Sequence, residues 1–115
     1  MVQDEIINFI AEVCHEANRV IQRRHGEVVN FPWENTSEDI RESGRIGVRA
    51  ARNGATPRQL HQAWLATKAA QGWVWGPTKD FAAKTHPQFV DYDALPDAQR
   101  LKDSLFRAIV KGLSS

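Results

Sequence analysis

At 115 residues the chain is the size of one ordinary domain, long enough to bury roughly two-thirds of its unfolded surface around a single core. Its 15 basic and 14 acidic residues leave a net charge of +1, which excludes a global field that would steer a nucleic acid, while 42% hydrophobic and 25% charged residues exclude a disordered chain. The single cysteine, Cys14, excludes an intramolecular disulfide, and with neither a signal peptide nor an apolar run of about 20 residues in view the expected setting is a reducing cytoplasm, away from membranes.

Along the first 25 residues Ile6, Ile10, Val13, Ala17, Val20 and Ile21 recur at spacings of three and four, which predicts an amphipathic helix stopped by Gly26. In the following "EVVNFPWENT", Pro32 forbids a helix interior, and Thr36 with Ser37 offers capping oxygens for a second helix. Ile40, Ser43, Gly47 and Ala50 give that helix a stripe of mostly small residues suited to close approach, and Asn53-Gly54 ends it. A third helix starts at a T-x-x-Q capping box, Thr56 to Gln59, with Pro57 in the first turn. A long loop then leads to a closing helix in which Leu101, Leu105, Ile109 and Leu113 share one stripe. No stretch alternates as a strand would, so the expected class is all-α: a small bundle of about four helices with a long structured loop between the last two.

His61, Trp64 and Lys68 fall at i, i+3 and i+7 of the third helix and project from one face. Two readings compete. In one, Trp64 is core, His61 bonds a loop carbonyl and Lys68 lies along a tryptophan. In the other, an indole beside cations holds a nucleobase next to its phosphates, with Lys79 and Lys84 as further cations. The loop sequence "QGWVWGPTKD" sets Trp73 and Trp75 about a sharp corner, with Trp73 expected to pack inward and Trp75 to lie on the opposite side against His86-Pro87. That corner would present Lys79 and Asp80.

Three further constellations are weaker. His15 and Glu16 lack the second histidine at i+4 that a helical zinc site needs, so no metal is expected. Cys14 and His15 point about 100° apart on a helix, which leaves Cys14 as core. Arg41, Arg45, Arg49 and Arg52 are interleaved with Glu38, Asp39 and Glu42, the pattern of a solvated face, and nucleic acid is not expected as a partner.

The stretch "HQAWLATKAAQGWVWGPTKDFAAKTHPQFVDYDALPDAQRLKDSL" resembles the ryanodine-receptor repeat, or RyR domain, whose pattern runs His-x-x-Trp, Lys, Gly-Trp-x-Tyr-Gly-Pro, a basic residue with Asp, Lys, His-Pro, Val-x-Tyr and Leu-Pro before a closing helix. Residues 56–115 would form the repeat and residues 1–55 a helical region packed on it. The upstream "VCHEANRVI" and "FPWENTSEDIRESGRIGVR" are further similar to small stand-alone RyR-domain proteins of bacteriophages, which implies a host-cell cytoplasm if the chain is phage-encoded. Trp75 replaces the usual tyrosine as an aromatic plug, and Asp91 stands where proline is frequent.

The resemblance implies a non-enzymatic module for a small ligand similar to an adenine nucleotide, whether mono-, di-, cyclic or ADP-ribose-type, with no cofactor. In tandem receptor repeats such a ligand lies between two repeats, so a chain with one repeat is expected to form a homodimer. Carried over to this sequence, Trp64 is the stacking platform, Lys79 the phosphate contact and Asp103 the polar residue early in the closing helix; the helix-face spacing adds His61 and Lys68 to the expected ligand set, and the loop corner adds Asp80. Bland alternatives remain open: a solvated turn pair for Lys79 and Asp80, and an intrahelical partner, Arg100 or Arg107, for Asp103. The rival function is a protein-interaction module docking through the same aromatic face; an enzyme would require a shifted acid or base, for which His61 and His86 are the candidates.

Overall fold

Side-chain caps start two of the helices where the sequence places them. In the computed structural model, which describes residues 2–114, Ser37 Oγ accepts from the Ile40 N–H at 3.3 Å. Thr56 Oγ1 accepts from the Gln59 N–H at 3.2 Å, while Gln59 Oε1 accepts from the Thr56 N–H at 2.9 Å. Four helices follow: α1 (Gln3–Arg24), α2 (Glu38–Arg52), α3 (Pro57–Ala70) and α4 (Asp97–Leu113). The all-α bundle is therefore as expected. A two-residue parallel pair, β1 (Val74–Trp75) with β2 (Thr85–His86), escapes sequence reading because two residues cannot show a period. No helix of the described residues is long and apolar enough to cross a membrane.

The core gathers Ile7, Ile10, Ala11 and Cys14 of α1, Trp33 of the connecting segment, Val48 and Ala51 of α2, Leu60 of α3 and Val110 of α4. Small residues on α2 admit its neighbours: a Cβ on Gly47 would stand 3.0 Å from Phe106 Cζ, and one on Gly44 3.6 Å from Ala11 Cβ.

Two helix stripes differ in phase from the expected ones. On α1, Val20 is exposed, while Gln22 is buried. On α4, Leu101 and Leu113 are exposed, and the inward face runs through Phe106, Ile109 and Val110. The cause is common to both. Polar side chains, Gln22 on α1 and Lys102 and Asp103 on α4, turn toward a cavity inside the bundle, so hydrophobicity alone does not mark the inward face.

Candidate functional site: a cavity lined by Trp64 and buried charges

One face of α1 fixes the segment that follows it. The His15 Nε2–H donates to the Phe31 carbonyl at 2.7 Å, Arg19 Nε–H to the Asn30 carbonyl at 2.9 Å, and Gln22 Oε1 accepts from the Asn30 N–H at 2.8 Å. Glu16 accepts from the Trp33 N–H at 2.9 Å and from Arg19 at 2.6 Å. Desolvation pushes the Glu16 carboxyl up, but the Trp33 N–H and Arg19 outweigh it and hold the group below its ordinary range. The residues that suggested a fragment of a metal motif thus clamp a loop, and among the described residues no three His, Cys, Asp or Glu side chains gather as a metal set.

Across the bundle, the loop between α3 and α4 is built by its own side chains. Gly72, at φ 90°, ends α3, and the Trp73 N–H returns to the Lys68 carbonyl at 3.0 Å. Lys84 Nζ donates to the Gln71 carbonyl at 2.6 Å, so this lysine closes the C-terminus of α3 and does not line the cavity. Asp80 Oδ1 accepts from the N–H groups of Ala82 and Ala83 at 2.9 and 3.0 Å, which makes it a turn residue outside the cavity wall. Both therefore depart from the ligand roles expected of them.

Trp73 is buried, as expected, but the Trp75 indole is 56% exposed and plugs nothing. Trp75 is aligned with His86 in the β1–β2 pairing, whose hydrogen bonds come from the neighbouring Val74 and Gly76 N–H groups. Side chains two apart in a strand share a face. These two diverge because Trp73 still belongs to the turn that ends α3.

Between these walls lies a cavity of about 490 Å³ whose lining includes Glu27, Asn30, Trp64, Lys68, Lys79 and Asp103. Trp64 is half-buried in it. His61 stacks on the indole with ring centres 5.6 Å apart and planes 20° from parallel, and His86 meets it edge-on at 4.9 Å. His61 Nε2–H donates to the Val90 carbonyl at 2.6 Å, the bond of the structural reading, yet its ring also props the indole.

Burial dominates the charges here. Desolvation brings the Lys68 ammonium down to about 8, with Lys84 adding to the fall and Asp39 opposing it. The Lys79 ammonium also falls to about 8, again through desolvation first and then repulsion from Lys102. Asp103 is pushed up to about 7 by desolvation. The two partners open to it on α4 are engaged elsewhere: Arg100 pairs with Asp97, and Arg107 donates to the Ala55 carbonyl. Among the described residues neither the Lys68 ammonium nor the Asp103 carboxyl has a hydrogen-bond or ion-pair partner, although the Lys68 ammonium feels Asp39 at longer range. Lys68 Nζ instead lies 5.5 Å from the centre of the Trp73 ring.

His86 is held neutral, its imidazole brought down to about 3 by desolvation and then by Lys79 and Lys68. Its Nδ1 accepts from the Gln88 N–H at 3.1 Å, so the neutral ring carries its proton on Nε2. Two more groups, absent from the expected set, complete the wall. Lys102 pairs with Glu27, and Gln99 donates to the same carboxylate at 3.1 Å.

Residues 52–113 match the RyR domain family. The chain belongs to that family. The RyR match covers α3, the loop and α4, and with them Trp64, Lys68, Lys79, His86 and Asp103. Glu27 and Asn30 lie before it. Their contribution has no motif of its own: a Glu and an Asn in a loop become visible only when two lysines of the RyR domain reach them.

Proposed function

We propose that this RyR domain protein binds a small nucleotide-like ligand, with an adenine nucleotide as the first candidate, and makes no covalent change in it. The observation that carries the reading is the grouping of a half-buried tryptophan with an unpartnered buried ammonium and an unpartnered carboxyl group around one cavity. Trp64 supplies a stacking surface, worth about 1–3 kcal/mol per base. Lys68 and Lys79 suit a phosphate, and Asp103 an exocyclic amine. The His86 Nε2–H adds a directed donor. At about 490 Å³ the cavity falls within the usual range of small-molecule sites.

Docking of a protein through the His61–Trp64 face has less support, because that face is turned into the bundle, with His61 only 4% exposed. The shifted acid and base groups that an enzyme needs are present, yet each is displaced by burial toward its neutral form, as a desolvated binding site also requires. The thiol at the cavity wall is no nucleophile: burial pushes Cys14 up to about 12.

Calorimetry and thermal shift against AMP, ADP, cyclic nucleotides, ADP-ribose and adenosine test the reading. Phosphate-bearing members should stabilise the protein and adenosine should do so far less. If none of them binds, the ligand assignment is wrong; if NMR of the incubated nucleotide shows a new product, the protein is an enzyme.

A further inference from the structure

The cavity has two walls from different parts of the chain. Trp64, Lys68, Lys79 and Asp103 come from the RyR domain, whereas Glu27 and Asn30 come from the segment clamped on α1. We propose that this segment, residues 27–33, is the second wall of the ligand site, so that one copy of the chain forms a complete site, and that Asn30 is the positioning residue that keeps Lys79 available to the anionic part of the ligand. The proposal rests on the nucleotide-binding reading and adds to it the groups that complete the site.

Two lysines of the RyR domain reach the segment, and their partners differ in charge. Lys102 meets the carboxylate of Glu27, which also takes Gln99 at 3.1 Å and lies 3.4 Å from His25 Nδ1. That ammonium is neutralised. Lys79 donates instead to Oδ1 of Asn30, a neutral acceptor, and its Nζ lies 5.2 Å from the centre of the Phe81 ring. An amide orients an ammonium without cancelling its charge, whereas a carboxylate would do both.

Asn30 can hold that position because its own backbone is fixed twice, at its carbonyl by Arg19 and at its N–H by Gln22. Lys68, also uncompensated, lies near enough to depress Lys79. The result is a pair of un-neutralised ammoniums beside an indole, enclosed on the far side by the chain's own N-terminal region. A second copy is not needed to supply these groups, since Trp64, Lys68, Lys79, Asp103, Glu27 and Asn30 of one chain line the same cavity.

Asn30→Asp tests this with almost no change of shape, since it gives Lys79 the carboxylate partner that the wild type withholds. With AMP as the probe, wild type should bind one nucleotide per chain and remain a monomer by light scattering. The variant should keep or raise its melting temperature, lose at least tenfold in AMP affinity, and bind adenosine as wild type does. Equal AMP affinity in the two proteins, or a complex with two chains per nucleotide, would overturn the inference while leaving nucleotide binding in place. Failure of wild type to bind AMP or any other nucleotide of the panel would remove both. Should the variant not fold, the wild-type AMP titration decides by NMR: the Asn30 side-chain amide and the Lys79 ε-methylene must shift together with the Trp64 indole, and their failure to do so refutes the role.

Discussion

A Cβ atom on Gly76 would lie 2.6 Å from the Cβ of Thr85, inside any real carbon–carbon contact. The approach follows from the β1–β2 pairing, in which the Gly76 N–H reaches the His86 carbonyl at 3.4 Å. The pairing in turn sets His86 against Trp64, so the glycine governs the cavity from outside it.

Gly76→Ala is therefore expected to destabilise by about 1–3 kcal/mol, the usual result of forcing a methyl into packed space. A urea melt should show a lower midpoint with an unchanged slope. Gly112→Ala makes the control: nothing lies within 4 Å of its Cβ inside α4, and the substitution should be neutral or stabilising by up to about 1 kcal/mol. Equal behaviour of the two variants would show that the β1–β2 contact yields freely.

Trp64→Ala should reduce both stability and binding. His61 stacks on the indole, and His86 and Phe89 pack around it, so truncation is expected to destabilise by about 3 kcal/mol. Calorimetry on AMP, ADP and ADP-ribose should show a similar loss for each, about 1–3 kcal/mol, because stacking ignores the phosphates. A loss confined to one nucleotide would point to a contact other than stacking.

Local chemistry was legible in the sequence where it acts within a few residues. The Thr56–Gln59 capping box, the Ser37 cap and the glycines that follow α1 and α2, Gly26 and Gly54, both at positive φ, are all present as expected. So was the family, since its fixed spacings run from His61 to the closing helix. What could not be read is long-range. The inward phase of α4 depends on Lys102 finding Glu27 across 75 residues, and Lys79 owes its orientation to Asn30 across 49. Lys79 and Asp80 are neighbours expected at the same ligand, yet the turn directs the lysine into the cavity and keeps the aspartate for its own N–H groups.

Asp103 should give the protein a measurable pH dependence. Its folded-state pKa is about 7 against an ordinary 3.8, so between those values the native state binds more protons than the unfolded chain. Stability from this group is present below pH 3.8 and is lost as pH rises through 7. Asp103→Asn should thus exceed wild type at pH 8 by on the order of 2–4 kcal/mol, with the gap closing toward pH 4 in urea melts. His86 acts oppositely: with a folded pKa of about 3 against 6.5, its contribution is lost as pH falls from 6.5 to 3, so the slopes of the two groups oppose each other over most of this range and comparison of Asp103→Asn with wild type isolates the Asp103 part. A pH-independent gap between Asp103→Asn and wild type would mean that the carboxyl group is solvated.

Lys68 joins stability and binding with opposite signs. The residue is 6% exposed, and its ammonium lacks an ion-pair partner among the described residues and has a folded pKa of about 8 against an ordinary 10.5. Below pH 8 the native state carries the full penalty of that buried charge, and the penalty fades as pH rises through 10.5, where both states are neutral. Lys68→Met, which keeps the stem and removes the charge, should therefore stabilise at pH 7 by about 2–3 kcal/mol and hardly at all near pH 11. The same change removes one of two un-neutralised cations from the cavity and should weaken AMP by about 1.5–3 kcal/mol, the worth of a charge-assisted contact, while sparing adenosine. A scaffold lysine would behave otherwise. If calorimetry and urea melts show that Lys68→Met lowers stability and leaves AMP affinity unchanged, its contact with Trp73 is structural and the anion site lies elsewhere in the cavity.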